Sequence, residues 1–219
     1  MSSAKPVRLN LRSSMSPSRP KIIYFDYGGV LGLLPEPMNM SKAVANAAGY
    51  DDYTRLPSLD PLIESWLCGE FNKSKFIDEL NDFLVDAPHR IDDTLYEYLK
   101  NEDTLLTPIE PMRNLAMQLK SKGYEIGILS NSSPTSSEKI RAAGLYQEFF
   151  PVILSDEVKC KKPSNKIFEI SEKEANASGD QILFVDDAEK NLLAAQKRGW
   201  FTIDASSIEA AIEKLKKLL

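Results

Sequence analysis

An apolar run, Ile22-Ile23-Tyr24-Phe25, rises from the polar Lys21 and stops at Asp26, where Gly28, Gly29, Val30 and Leu31 follow. A short apolar run that opens into a glycine turn predicts a strand buried on both faces, as in a parallel sheet. Tyr124–Leu129 running into Ser130-Asn131-Ser132-Ser133 repeats the design, as do Pro151–Leu154 before Ser155-Asp156-Glu157 and Gln181–Val185 before Asp186-Asp187. Trp200–Ile203 predicts a fifth strand. Helical periods lie between them. Met112, Leu115 and Leu119 share a face that ends at Gly123, and Leu192, Leu193 and Ala195 mark a helix ending at Gly199, both glycines suiting a helix C-terminus. Ile167, Phe168 and Ile170 follow Pro163, read as a first-turn proline. Ile208, Ala211, Ile212 and Leu215 form an amphipathic last helix after Ser206 or Ser207. Strands alternating with helices of this length predict an α/β fold, a three-layer Rossmann-like domain with a central parallel sheet.

Residues 34–100 break the alternation. Ala43–Ala48, Leu62–Leu67, Phe76–Leu84 and Thr94–Leu99 read as helices, with Ser41 and Ser74 as N-caps, and no strand pattern appears. An all-helical insertion directly after the first strand belongs above that strand's C-terminal end, where ligands bind in such sheets. The chain therefore divides into a basic tail (1–20), a core domain (21–33 and 101–219) and a helical cap domain (34–100). Gly69-Glu70, between two of the inserted helices, reads equally as a turn facing the site and as a turn only.

Composition narrows the function. Among 219 residues, 42% are apolar and 27% charged, as in ordinary globular proteins. A net charge of -5 argues against nucleic acid as the main partner. Cys68 and Cys160 have no metal-ligand spacing and suit a reducing compartment. His89, the single histidine, excludes a His-rich metal site. No apolar run reaches the ~18 residues of a membrane span. Residues 1–25 hold Lys5, Arg8, Arg12, Arg19 and Lys21 with six serines and no acid, leaving 22 basic against 32 acidic residues elsewhere. Such a start reads either as a disordered tail, with the protein cytoplasmic, or as a targeting segment for mitochondrion or plastid.

Phosphoryl transfer needs a nucleophile, a cation for the charged oxygens and dipoles that cradle the group in flight. Asp26 at a strand end can supply the nucleophile. Gly28 and Gly29 let backbone approach a phosphate and offer N–H groups. Ser130 and the N–H of Asn131 can hold a second oxygen, Lys162 offers a positive charge, and Asp186 and Asp187 bring oxygens for Mg²⁺. Each motif alone also reads blandly, as a turn, a loop, solvated charge or a helix cap. Four of them in order, at or just past the ends of parallel strands, are hard to explain as turns.

Together they resemble the haloacid dehalogenase superfamily, subfamily I, with its helical cap inserted after the first motif. The matching segments are Phe25-Asp26-Tyr27-Gly28-Gly29-Val30-Leu31, Ile128-Leu129-Ser130-Asn131, Lys162-Pro163 with Ile167-Phe168, and Phe184-Val185-Asp186-Asp187, with Asn191 and Gly199 in their usual places. The resemblance implies an aspartyl-phosphate on Asp26. It implies Mg²⁺ held by Asp26, the backbone carbonyl of Gly28 and Asp186, with Asp187 in support and Lys162 neutralising nucleophile and phosphate. One departure stands out: most phosphatases of this family carry an acid/base Asp at the position of Gly28. Losing such a group typically costs about 10²–10⁴-fold, although some relatives with glycine there hydrolyse sugar phosphates. The leading expectation is a Mg²⁺-dependent phosphatase of a small phosphorylated metabolite, sugar phosphates included. A catalytically idle member of a larger assembly is the alternative, and a 2-haloacid dehalogenase the minor one; the latter fits poorly with paired Asp186-Asp187 and no arginine between Arg19 and Arg55.

Overall fold

The structure, a computed structural model, describes residues 19–33, 38–100 and 107–218. The expected tail lies almost wholly outside the described residues. The strands are β1 (Ile22–Phe25), β2 (Glu125–Ser130), β3 (Val152–Leu154), β4 (Ile182–Asp186) and β5 (Phe201–Asp204). They form one parallel sheet in the order β3-β2-β1-β4-β5. The apolar run of β1 is explained by this central position: all four residues are fully buried. Alternation splits the sheet's side chains between two layers. Ile23, Phe25, Ile126, Ile128, Leu183 and Val185 pack beneath α5 (Glu110–Ser121) and α10 (Ile208–Lys216). Ile22, Tyr24, Leu129, Ile182 and Phe184 face α8 (Asn165–Ala175) and α9 (Glu189–Lys197).

Residues 38–100 fold as α1 (Met38–Ala48), α2 (Asp60–Leu67), α3 (Lys73–Phe83) and α4 (Asp93–Lys100) around a hydrophobic cluster of their own. Trp66 stacks on Phe76 with centroids 4.1 Å apart and meets Tyr96 edge-on. Two expected N-caps fall elsewhere. Ser41 sits inside α1, and Asn72 rather than Ser74 caps α3, because its side-chain oxygen accepts from the N–H of Lys75 at 2.9 Å; Asn caps as well as Ser does. Pro163 precedes the N-cap Ser164 instead of opening α8. Two helices had no apolar period to betray them, α6 (Pro134–Ala142) and the single turn α7 (Ser155–Val158). No described helix is long and apolar enough to cross a membrane.

Glu172 fastens α8 to the end of α9 and the start of β5. Its carboxylate accepts from Nε and Nη2 of Arg198 at 3.0 and 2.6 Å and from Nε1 of Trp200 at 2.9 Å. Burial pushes this carboxyl up, but the Arg198 and Trp200 hydrogen bonds outweigh it and hold it below the ordinary glutamate value. A depressed folded-state pKa stabilises above the unfolded value, near 4.3, and that stability is lost as pH falls through it. Glu172→Ala leaves the Trp200 N–H buried and unpaired, so we expect a loss of about 1–3 kcal/mol at pH 7. The gap to wild type should narrow below about pH 4. Urea melts at the two pH values check this; an equal gap at both would count against the ion pair.

Candidate active site

Asp26 follows β1 directly, Ser130 ends β2 and Asp186 ends β4, so three neighbouring strands deliver side chains to one edge. The chain winds outward from β1 through β2 to β3 and then crosses back to β4 on β1's other side. Asp26 and Asp186 thus flank the point where the winding reverses, the crevice in which open α/β sheets bind ligands.

Lys162, from the loop after α7, fills the centre. It is fully buried, and its Nζ lies 2.9 Å from Oδ2 of Asp26, 2.6 Å from Oδ2 of Asp186 and 2.8 Å from the carbonyl of Leu129. Asn131 holds the Lys162 backbone from both sides. Its Nδ2 donates to the Lys162 carbonyl at 3.0 Å, and its Oδ1 accepts from the Lys162 N–H at 2.7 Å. Asp186 is oriented by the Ala188 N–H at 2.8 Å and by Nδ2 of Asn191 at 3.0 Å, both reaching Oδ1. The Tyr27 N–H donates to Oδ1 of Asp26 at 2.7 Å, and Ser130 makes a side-chain hydrogen bond to the same carboxylate. Gly29, at φ +74°, turns the chain after the strand, and its N–H is taken by the Gly32 carbonyl at 2.8 Å.

One carboxylate oxygen each from Asp26, Asp186 and Asp187 lies within 4.8 Å of the others. Three carboxylates face one ammonium, so the cluster carries excess negative charge. Burial pushes the Asp26 carboxyl up to about 6, against the pull of Lys162. Burial and then the neighbouring Asp186 push Asp187 up as well. Burial opposes the charge of Lys162, but Asp26 and Asp186 outweigh it and hold the ammonium above its usual value. Such a group of oxygens, short of positive charge, has the donor chemistry of a hard divalent cation site.

Residues 40–199 match the family model of the haloacid dehalogenase-like hydrolases. The chain belongs to this family. The match takes in Ser130, Lys162, Asp186 and Asp187 and starts beyond Asp26. A glyceraldehyde 3-phosphate phosphatase of Methanothermobacter thermautotrophicus is 30% identical over 105 residues, 47% of this chain and 46% of its own length. An (S)-2-haloacid dehalogenase of a Pseudomonas species is 33% identical over 81 residues, 36% of this chain and 35% of its own. The chain therefore spans less than half the length of these curated relatives. A family enzyme from Bacteroides thetaiotaomicron, solved with magnesium and inorganic phosphate, shares the fold at a TM-score of 0.69 and 21% identity, covering 84% of this chain and 93% of that one.

The site opens into a cavity of about 170 Å³ walled by Gly28, Ser130, Asn131, Leu67 and Tyr146 among others. Leu67 reaches it from the end of α2, where the helical unit is stitched to the core. Ser155 Oγ donates to the Leu67 carbonyl at 2.5 Å, Lys159 Nζ to the Gly69 carbonyl at 2.5 Å, and Lys161 pairs with Glu64 at 2.5 Å. Gly69, at φ +59°, lies against α7 so closely that a Cβ there would meet the Asp156 carbonyl at 2.1 Å. The turn at Gly69-Glu70 thus packs on the core beside the site. Glu70 itself is exposed. Leu67 and Tyr146 carried no sequence signal, because neither belongs to a motif.

Proposed function

We propose that this hydrolase is a Mg²⁺-dependent phosphomonoesterase of a small phosphorylated metabolite, attacking through Asp26. The observation that carries the reading is the buried ammonium of Lys162 bridging Asp26 and Asp186, with Asp187 completing an acidic trio around the same point. The likeness to glyceraldehyde 3-phosphate phosphatases and to a magnesium–phosphate complex supports it. Asp26, the Gly28 carbonyl and Asp186 would hold the cation, with Asp187 in support, and the core of 21–33 and 101–219 carries the chemistry beneath a helical cap of 34–100. When bound, Mg²⁺ supplies Lewis acidity to the phosphate oxygens. Asp26 forms a bond to phosphorus as the ester oxygen leaves, and water then frees the phosphate from the aspartyl group. Lys162 balances charge on both. The Ser130 hydroxyl and the N–H groups of Gly28 and Asn131 cradle the phosphate, with Gly29 shaping the turn.

Position 28 offers no carboxyl to protonate the leaving group, so acyl and aryl phosphates should outpace alkyl esters by about 10²-fold or more. A phosphate-release screen over such esters tests this. Chelating the metal with EDTA should lower turnover on the order of 10²–10³-fold, the several kcal/mol of charge stabilisation a metal supplies. Undiminished turnover after chelation would overturn the metal assignment. The dehalogenase reading has the Pseudomonas likeness behind it. Against it, a 2-haloacid needs a cation for its own carboxylate, whereas the residues lining the cavity are all uncharged. Metal-independent chloride release from 2-chloropropionate would reverse that preference. An idle, structural role predicts no turnover of any ester and no difference between Asp26→Asn and wild type.

A further inference from the structure

Among the described residues, Leu67 alone reaches the cavity from the helical unit; the other walls come from the segments after β1, at the end of β2 and in and after α6. The apolar stripe of α2 explains why it is left over. Leu62, Ile63 and Trp66 turn into the hydrophobic cluster of the helical unit, whereas Leu67, partly buried, joins none of the three clusters among the described residues. Its N–H lies inside the last turn of α2, and its carbonyl is taken by the hydroxyl of the fully buried Ser155. What it leaves to line the cavity is the isobutyl side chain. The same Ser155 oxygen accepts from the Ser132 N–H at 2.9 Å, just past Ser130 and Asn131. One hydroxyl therefore fixes Leu67 relative to the phosphate-binding loop. Lys159 adds a second tie by holding the Gly69 carbonyl from a left-handed backbone at φ +57°, a conformation a lysine adopts only at a cost. The Lys161–Glu64 pair is the third.

We propose that Leu67 is a specificity-determining residue whose side chain bounds the space for the leaving group and so restricts the enzyme to compact phosphate esters. This rests on the phosphomonoesterase reading above. A cavity of about 170 Å³ equals some five or six waters' share of liquid volume, room for a phosphate and a few carbons. With the end of α2 held at three points, a longer group displaces Leu67 only by breaking one of those ties. An apolar wall that cannot yield discriminates by size.

Acetyl, phenyl and 1-naphthyl phosphate test the assignment on the full chain with Mg²⁺, since their leaving groups differ in size and depart without an acid. Leu67→Ala removes an isopropyl group from the wall. The ratio of kcat/KM for 1-naphthyl phosphate to that for acetyl phosphate should rise about tenfold or more, the discrimination a methylene gives in an apolar pocket. The rise should come from a gain on the naphthyl ester itself, which no damaged protein would show. Leu67→Trp should lower the ratio of phenyl to acetyl phosphate by as much. Ratios within about twofold of wild type in both variants, or all esters falling together with the melting temperature, would make Leu67 a packing residue and overturn the proposal. Wild-type protein that hydrolyses no ester would overturn the phosphomonoesterase reading instead. Leu67 is then decided by calorimetric titration with 1-naphthyl phosphate and Mg²⁺. Binding about tenfold tighter by Leu67→Ala than by wild type supports the assignment, and equal binding, or none by either protein, overturns it.

Discussion

Asp26→Asn is expected to lower kcat/KM for every phosphate ester by about 10⁴-fold or more while leaving the fold intact. The size follows from the role: an amide oxygen is not a nucleophile toward phosphorus, and removing an attacking group from a catalytic unit costs nearly the whole unit. Intactness follows from the surroundings. Asparagine matches aspartate in shape, so the bond from the Tyr27 N–H survives at the side-chain oxygen. Lys162 keeps Asp186 at 2.6 Å as its counter-charge. Removing one carboxylate from a trio that faces a single ammonium relieves repulsion as well as losing attraction, so the stability change should stay within about 1 kcal/mol. Steady-state kinetics beside thermal melts separate the two readouts. Residual activity within tenfold of wild type, at unchanged stability, would show that Asp26 is not the attacking group.

The core of the fold was legible because burial on both faces leaves an unmistakable trace. Ile22–Phe25 sits at the centre of the sheet, so no position in it needs to be polar, and the run ends where the backbone leaves the sheet at Asp26. The same holds for Ile182–Val185, and β5 was displaced by only one residue because Trp200 is as apolar as the strand it precedes. Helices on the polar side were harder. In Pro134–Ala142 the one large apolar residue is Ile140, and the start is signalled only by Ser133 before Pro134. The four residues of α7 are too few to show a period.

The candidate site divides the same way. Asp26, Ser130 and Asp186 each end or follow a strand whose pattern is strong, and Lys162 precedes a helix marked by Ile167, Phe168 and Ile170, so their convergence could be argued from topology before any distance was known. Asn131 illustrates the limit. It lies where a phosphate ligand was expected, and its side chain holds the Lys162 backbone across the sheet edge, a pairing between segments that no local pattern encodes. Tyr146 and Leu67 depend on how α2 and the segment after α6 pack above the sheet, which is a property of the assembled chain. Gly28 worked in the other direction: the sequence alone exposed the missing acid/base group, and the cavity wall at that position is backbone.

Lys162→Met should be the most destabilising single change in the site, costing about 3–5 kcal/mol, and should lower turnover of any ester by about 10³-fold or more. Methionine fills nearly the same volume, so the loss comes from charge rather than from a void. Two carboxylates now held by the ammonium, at 2.9 and 2.6 Å, would face each other with no cation between them, and the Leu129 carbonyl would lose its donor at 2.8 Å. Replacing Lys162 also removes the charge that balances the entering phosphate, so activity falls even in the protein that remains folded. A double-mutant cycle distinguishes this account from simple mispacking. Adding Asp26→Asn removes one of the two stranded carboxylates, so Lys162→Met with Asp26→Asn should be more stable than Lys162→Met alone, by about 1 kcal/mol or more. Mispacking predicts additivity, with the second substitution contributing what it does in the wild-type background. Denaturant melts of the four proteins decide it, and an additive cycle would remove the ion triad from the account of how this site is held together.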